Sequence, residues 1–259
     1  MKHFFVALTA AFFLFAVCEA QKRVMKPLNE LIDPAGSGWS EIVHWQKTAT
    51  NKIEILPKDK LKADSALYKI QLTTESVVGA MIYNCGGILI DDGWIRILGS
   101  GCEKLERSLT EWNAGKSFSK YGEDPSFLLV ADDAFGGFFA INAGGIDKFE
   151  IGKVFYYGPN SLRWVTTDLS YSEFVVFCFS GDLDKFYKGF RWKGWQDEVK
   201  RLGANQVISC YPLLWTDAGK DLQSNRKVVP VQRQWDLYQQ PKKVTAKKIS
   251  KKNSSKRAN

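Results

Sequence analysis

Short apolar runs separated by Asp and Gly fill the middle of the chain, and this pattern constrains the fold more than any other feature. The clearest case is 87–99, where two apolar runs flank Asp91-Asp92-Gly93. Asp-Gly is a favoured loop pair of β-hairpins because both positions accept a positive φ. The sequence therefore predicts an antiparallel hairpin with Asp92-Gly93 as its loop.

Other short runs also read as strands, by alternation or by a brief apolar stretch. They lie at 53–56, 68–73, 127–130, 138–141, 154–157 and 162–165, while 77–83 is ambiguous. Strands this short, separated by turn residues, favour antiparallel neighbours.

Helical patterns lie on both sides of these strands. They cover 27–49 in two pieces, the second capped by Ser37, then 59–67, 183–190 and 195–202. Ser108 with Glu111 and Ser170 with Glu173 have the spacing of a capping box, which predicts a helix start. Together these patterns predict an α+β fold, a single domain with a mainly antiparallel sheet and flanking helices.

The N-terminus has the pattern of a secretory signal peptide. A short polar start precedes an apolar run at 4–17, and Ala20 lies just before a plausible cleavage point at Gln21. The run is shorter than the roughly 20 apolar residues of a membrane span. We expect residues 1–20 to be removed, giving a periplasmic or secreted protein without a transmembrane segment. Lipid attachment at Cys18 is the alternative, which the bulky Val17 disfavours.

The basic charge of the chain belongs to its C-terminus. The net charge is +8, and residues 242–259 alone carry seven Lys, one Arg and no acid. The rest of the chain is therefore balanced and does not predict a specific nucleic-acid partner. These boundaries predict one globular domain over 21–240 and a disordered lysine-rich tail over 241–259, with weak attraction to anionic surfaces.

Four cysteines follow the signal segment, and none forms a CxxC pair. Cys85 and Cys102 flank the predicted hairpin and are the natural disulfide pair in an oxidising compartment. A loop at Asp92-Gly93 would place Cys85 opposite Ser100, so that Cys102 is one diagonal step away, slightly far for a relaxed bridge. A disulfide and four buried free thiols are both open.

Motifs for common enzyme chemistry do not appear. Beyond the signal segment the chain has one histidine, His44, and it has no Gly-x-Ser-x-Gly elbow and no Cys/His zinc spacing. The glycines at 99–101 lack the third Gly of a dinucleotide fingerprint. We therefore expect no cofactor, and a non-catalytic protein.

Two acidic pairs, Asp91-Asp92 and Asp132-Asp133, are the candidate site residues. Each pair precedes glycine in a predicted turn. Asp is a common turn residue, so ordinary turns are one interpretation. If the pairs met in space, they could bind a ligand or a divalent cation, or act as general acid and base. The aromatic run at 186–195 likewise has two interpretations, core packing or a binding surface.

Several runs resemble a bacterial family of unknown function, domain of unknown function 2625. They are "GGILIDDGWIRILGSG" at 86–101, "FLLVADDAFGGFFAIN" at 127–142, "VFYYGPNSLRW" at 154–164 and "YSEFVVFCFSGDLDKFY" at 171–187. The resemblance spans roughly residues 27–235. The family has no established activity, so the resemblance implies no catalytic residues.

Residues 127–190 also resemble the SUKH superfamily of immunity proteins. This resemblance is carried by the runs "VADDAFGGFFAIN" and "GKVFYYGP" and by a predicted helix that contains "YSEFVVF". It implies a non-enzymatic α+β module that binds a toxin. Unlike those proteins, this chain has an export signal and a lysine tail. The leading hypothesis is an exported protein-binding module, and the alternative is an envelope hydrolase that uses the paired aspartates.

The tail can be tested by truncation after Gln240. We expect the melting temperature to stay nearly unchanged, because four apolar residues in 242–259 are too few to bury a face. The truncated chain should also lose any salt-sensitive adhesion to anionic vesicles, since basic residues near such a surface contribute about 1 kcal/mol each. A large fall in melting temperature, or equal adhesion with and without the tail, would contradict these expectations.

Overall fold

A computed structural model describes residues 24–214 and 226–240 of the protein, and it confirms the predicted α+β fold. The expected signal peptide, including Cys18 and the Ala20-Gln21 junction, and the lysine-rich tail lie outside these residues.

The main sheet is a seven-stranded antiparallel meander whose strands follow one another in chain order. Its strands are β1 (Ile53–Leu56), β2 (Gly87–Ile90), β3 (Ile95–Leu98), β4 (Phe127–Asp133), β5 (Phe138–Asn142), β6 (Lys153–Tyr157) and β7 (Trp164–Ser170). A second sheet pairs β8 (Gln206–Cys210) with β9 (Arg226–Pro230). It adjoins the first sheet where the Ile208 N–H donates to the carbonyl of Ala134 (2.7 Å).

The helices come before, between and after these strands. They are α1 (Leu28–Leu31), α2 (Ser37–Lys47), α3 (Lys60–Ile70), α4 (Val77–Asn84), α5 (Leu109–Asn113), α6 (Tyr171–Ser180), α7 (Leu183–Phe186), α8 (Trp195–Lys200) and α9 (Val231–Gln239). Within the described residues, no helix has both the length and the apolar character needed to cross a bilayer.

Strand β5 shows how helices cover both faces of the sheet. Successive side chains of a strand point to opposite faces. Phe138 packs edge-on against Trp235 of α9, with ring centres 5.2 Å apart, and stacks with Trp112 of α5 at 6.3 Å. Its neighbour Phe139 contacts Phe174 of α6 at 4.9 Å. The sheet is therefore enclosed between two helical layers at this point.

The predicted hairpin is confirmed, including its register. Ile90 pairs with Ile95, and the Ser100 N–H donates to the carbonyl of Cys85 (3.0 Å). Asp92 and Gly93 have φ values of +60° and +94°, as the Asp-Gly loop requires. This turn sets the direction of Asp91 and Asp92.

The strand predicted at 68–73 is wrong, because Tyr68 to Ile70 are the last residues of α3. The carboxylate of Asp59 caps this helix by accepting from the N–H groups of Leu61 and Lys62. Burial of Leu67 and Ile70 then follows helical spacing. The alternation at 68–72 fits the period of a strand and that of a helix. The Asp59 cap and the packing of the helix against distant residues stabilise the helix.

Two further local predictions need correction. Ser37 begins α2 but does not cap it, since Gly36 is the N-cap and the Ser37 hydroxyl donates to Asp33. The helix expected over 183–190 stops at Phe186 after one turn. Tyr187 nevertheless remains buried, because it packs edge-on against Trp94 at 5.3 Å.

The aromatic run at 186–195 belongs to the core. Trp94 is fully buried and is surrounded by Tyr187, Trp192 and Trp195, with ring centres between 4.9 and 5.9 Å away. The core interpretation is therefore confirmed.

Strand β7 forms one outer edge of the meander and is irregular. Lys153 pairs with Ser170 and Phe155 with Thr166, so β7 carries two more residues than β6 over the same interval. Within this bulge Asp168 has a φ of +61°. The opposite edge, β1, has only four residues.

Cys85, Cys102, Cys178 and Cys210 are free thiols, and all are buried. Burial raises the pKa of Cys85 to about 12 and that of Cys210 to about 11. Because the thiolate is the reactive form, these thiols should be inert in the folded protein.

The state of the four thiols can be measured by labelling with a maleimide at pH 8. We expect no rapid labelling of the native protein and labelling of all four thiols after denaturation in guanidinium, each identified by peptide mass spectrometry. Recovery of the Cys85 and Cys102 peptides joined and unlabelled would show the disulfide instead.

Candidate functional site

Asp132 and Asp133 are not exposed turn residues. Both lie at the end of β4 and are fully buried, and the turn occupies the residues after them, up to Gly137. The strand continues three residues beyond its predicted end, so both carboxylates lie inside the core.

Asp132 lies between two guanidinium groups. Its Oδ1 accepts from Arg96 Nε and its Oδ2 from Arg107 Nη1, each at 2.6 Å. Arg96 also donates to the carbonyl of Gln206 (2.6 Å), and Arg107 to that of Ala204 (3.0 Å). Burial lowers the pKa of Arg96, and the charge of Asp132 opposes that shift. Both oxygens of Asp132 are thus committed to structure.

Asp133 organises the turn that follows β4. Its Oδ1 accepts from the N–H groups of Phe135 (2.9 Å) and Gly137 (2.8 Å), and its Oδ2 from the Tyr156 hydroxyl (2.8 Å). Burial raises the pKa of Asp133, while these hydrogen bonds lower it. A Cβ at Gly137 would lie 2.4 Å from Asp133 Oδ2, so only glycine fits beside this carboxylate.

Asp91 and Asp92 have a different environment, on an open cleft of about 420 Å³. Thr50–Lys52, the turn after β2, the start of α7, Arg191 and the start of α8 form this cleft. Asp92 pairs with Lys52 and, at 3.8 Å, with Lys200. Asp91 Oδ2 accepts from Arg191 Nη2 (2.7 Å).

Arg191 is the best-held side chain of this cleft. Its guanidinium lies 4.2 Å from the ring centre of Trp195 and 5.0 Å from that of Trp94. Besides Asp91 it binds Asp184 Oδ1 (2.7 Å), and Asp184 is 86% exposed. The cleft is therefore a polar surface of paired charges. The sequence indicated Arg191 only through its place in the aromatic run at 186–195.

The structure does not bring the two aspartate pairs together. Asp133 is opposite Ile95, which in turn is opposite Ile90, so two strand spacings, roughly 10 Å, separate the backbones of the pairs. In 24–214 and 226–240, no three His, Cys, Asp or Glu residues form a group able to hold a metal ion. His44 is exposed on α2, far in sequence from either pair.

A second feature, the loop 143–152 between β5 and β6, was missed by the sequence analysis. Asn142 is fully buried beneath it and makes five hydrogen bonds to its backbone. Its side-chain amide donates to the carbonyls of Asp147 (2.6 Å) and Glu150 (2.9 Å), and its Oδ1 accepts from three N–H groups, at 144, 146 and 147. The buried Asn142 side chain therefore fixes the backbone of the loop from its inner side.

This loop presents apolar side chains to solvent. Phe149 is 90% exposed and Ile151 57% exposed. Asp147 fixes the backbone beneath them by accepting from the N–H groups of Phe149 (2.7 Å) and Glu150 (3.1 Å), which lowers the pKa of Asp147. In the sequence, this patch was indicated by Phe149 and Ile151, two apolar residues of a polar segment between Gly145 and Gly152.

Comparison with known proteins places the chain in a family. The model of the family described as "Protein of unknown function DUF2625" matches residues 28–234. The chain belongs to this family. It is 44% identical over 210 residues to an uncharacterised protein of Haemophilus influenzae strain Rd, covering 81% of this chain and 88% of that protein. It is 38% identical over 220 residues to the uncharacterised protein YbfG of Escherichia coli K12, covering 85% and 99%.

The different roles of the two pairs can be measured with Asp132→Asn and Asp92→Asn. Asp132→Asn leaves two buried guanidinium groups without their carboxylate and should lower the free energy of unfolding by about 3–5 kcal/mol. Asp92→Asn removes a pair with Lys52, which is 66% exposed, and should lower the free energy of unfolding far less than Asp132→Asn does, because solvent screens the pair. Urea unfolding measures both. Small and equal losses of unfolding free energy in the two variants would contradict a structural role for Asp132 and its two arginines.

Proposed function

We propose that the protein is an exported, non-catalytic module that binds a protein partner, and that loop 143–152 makes the central contact. The observation that carries this proposal is the rigid loop that holds Phe149 almost completely in solvent. Export rests on the signal pattern of residues 1–20.

The energetics favour this loop as a binding element. Burying an exposed Phe side chain gives about 1.5–3 kcal/mol, and Ile151 adds to the same patch. A loop that is already ordered by Asn142 and Asp147 loses little conformational freedom on binding. Large aromatic side chains at the centre of an interface commonly supply much of its binding energy.

The charges of the loop favour a protein over a lipid surface. Loop 143–152 carries Asp147, Lys148 and Glu150, so its formal charge is −1. An anionic membrane attracts clusters of Lys and Arg, and the two carboxylates beside Phe149 oppose that attraction. A partner pocket with an apolar floor suits the loop better.

The environments of the four aspartates support a non-catalytic role. Asp132 and Asp133 are sealed in the core with their oxygens engaged, which leaves no room for a substrate. Asp91 and Asp92 are bound by Arg191 and Lys52. The hydrolase alternative would therefore have to rely on the second pair alone.

The resemblance to immunity proteins agrees with this proposal. It covers residues 127–190, which include the loop, and those proteins act by binding other proteins. Because the resemblance is partial, we take from it only the kind of function, which is binding to a protein.

A photo-crosslinking amino acid in place of Phe149 tests the contact in intact cells that produce the full chain. We expect one specific crosslinked protein, lost when Ile151→Asp is added. The matched control is the same amino acid at Leu61, which is 81% exposed on α3. With the partner purified, Phe149→Ala should weaken binding by about 2 kcal/mol, roughly thirtyfold, with stability unchanged within about 0.5 kcal/mol.

Two results would contradict the proposal. One is the same set of crosslinks from positions 149 and 61, which would reflect exposure alone. The other is turnover in a broad substrate screen that disappears in Asp91→Asn or Asp92→Asn while the fold is intact, which would favour the hydrolase.

A further inference from the structure

Several turns and strands meet at one end of the main sheet. Phe135 of the turn after β4 and Pro159 of the turn after β6 line a small hollow together with Ser209 of β8. Phe135 also contacts Phe190 and Trp192, with ring centres 5.9 and 5.6 Å away. Strand β9 joins this end through its pairing with β8. We call the five segments that meet here the basic end; they are 134–138, 158–163, 187–195, 206–214 and 226–230.

The basic end carries positive charges and no negative one. Its five segments contain six Lys and Arg residues and no Asp or Glu. Arg191 pairs with Asp91 and Asp184 from outside the segments. Arg226 pairs with Glu198. The other four cations are exposed and form no ion pair with any residue in 24–214 or 226–240; they are Arg163, Lys188, Lys193 and Lys227.

The C-terminus of the described chain lies at this same end. Helix α9 packs Trp235 and Tyr238 against Phe138, with ring centres 5.2 and 6.0 Å away, and it ends at Gln239. The helix carries one Arg and one Asp, so it is neutral. Residues 241–259, which follow, contain seven Lys, one Arg and no acid. The positive charges of the tail therefore begin where those of the folded protein already lie.

Loop 143–152 is attached to the opposite ends of the same two strands. Strand β5 runs from Phe138 to Asn142, and β6 returns from Lys153 to Tyr157. Four residue steps of strand, about 13 Å, thus separate the basic end from the start of the loop. The loop has a formal charge of −1, so the two ends of these strands differ in sign.

We propose that the basic end is a docking surface for an anionic lipid membrane, which the folded cations and the tail contact together. In this orientation the membrane lies at one end of β5 and β6, and Phe149 lies at the other, where a protein partner can reach it. The docking surface is independent of the contact at loop 143–152 and shares with the proposed function only the expected export.

The side chains of the basic end favour a lipid surface over a nucleic acid. Proteins that bind single strands stack the bases on exposed aromatic rings. Here Phe190 and Trp192 pack into the core instead. Tyr211 is 39% exposed, and Lys227 Nζ lies 5.3 Å from its ring centre. A tyrosine beside a lysine suits the headgroup level of a membrane, where the ring and the hydroxyl are both accommodated.

Vesicle binding tests this surface with the mature protein, purified from cells that produce the full chain. Vesicles of phosphatidylcholine with about one-third phosphatidylglycerol are compared with pure phosphatidylcholine, in about 0.05 M and about 1 M sodium chloride. Binding should require the anionic lipid and the low salt, because the Debye length falls to about 3 Å at 1 M. Truncation after Gln240 should weaken binding without abolishing it, which revises the expectation that the tail alone is adhesive.

Variants of the folded protein separate local charge from net charge. The combination of Arg163→Gln, Lys188→Gln and Lys193→Gln should weaken binding at least about tenfold, since each basic residue near an anionic surface contributes its own attraction. The matched control removes three exposed cations elsewhere: Lys62→Gln, Lys120→Gln and Lys148→Gln. It loses the same net charge and should change binding less than about twofold, because solvent screens charges that lie far from the membrane. Unchanged melting temperatures show that both variants fold.

The orientation is measured with a fluorescent donor on one introduced cysteine, since the four native thiols are buried. Asn160→Cys places the donor in the turn after β6, and Phe149→Cys places it in loop 143–152. Energy transfer to an acceptor on the lipid headgroups should be more efficient from position 160 than from position 149.

Each of four results would overturn the proposal. They are equal binding to both kinds of vesicle, equal losses in the two triple variants, no binding after truncation, and equal energy transfer from positions 149 and 160. Tighter binding to a short DNA duplex or to polyglutamate than to the anionic vesicles would also overturn it, in favour of a nucleic acid or an acidic protein. None of these results affects the crosslink expected at Phe149, so the proposed function is tested separately.

Discussion

The carboxylate of Asp132 is the interaction on which the rest of the structure depends. It forms ion pairs with Arg96 of β3 and Arg107 of the segment before α5, and both arginines also donate to carbonyls at 204–206. Four segments of the chain, at residues 96, 107, 132 and 204–206, are thereby joined at one buried point. Burying these charges costs more desolvation free energy than packing apolar side chains at the same place would. The charged contacts nevertheless allow few alternative arrangements of those segments. The small β8–β9 sheet is positioned through the same contacts.

Local chemistry was enough to predict part of the fold. The Asp92-Gly93 pair determined the turn and the register of β2 and β3, because the backbone there needs a positive φ. Ser170 and Glu173 form the reciprocal capping box expected from their spacing. In both cases the deciding interactions lie within a few residues, so the sequence contains all the necessary information.

Other features depend on partners far away in sequence. The alternation at 68–72 fits a strand and a helix equally, and burial against neighbouring elements decides between them. Nothing beside Asp132 in sequence indicates that Arg96 and Arg107 will enclose it, so the pair looked like a surface turn. Loop 143–152 was overlooked for a related reason, because the role of Asn142 is visible only once the loop has folded over it.

The bulge in β7 has a consequence for how copies of the protein meet one another. A meander has two open edges, and a regular edge offers a row of free N–H and C=O groups on which a second sheet can continue. Here β1 is only four residues long, and the extra residues of β7 with the left-handed backbone of Asp168 interrupt the row on the other side. Sheet-to-sheet aggregation is thus disfavoured by backbone geometry alone.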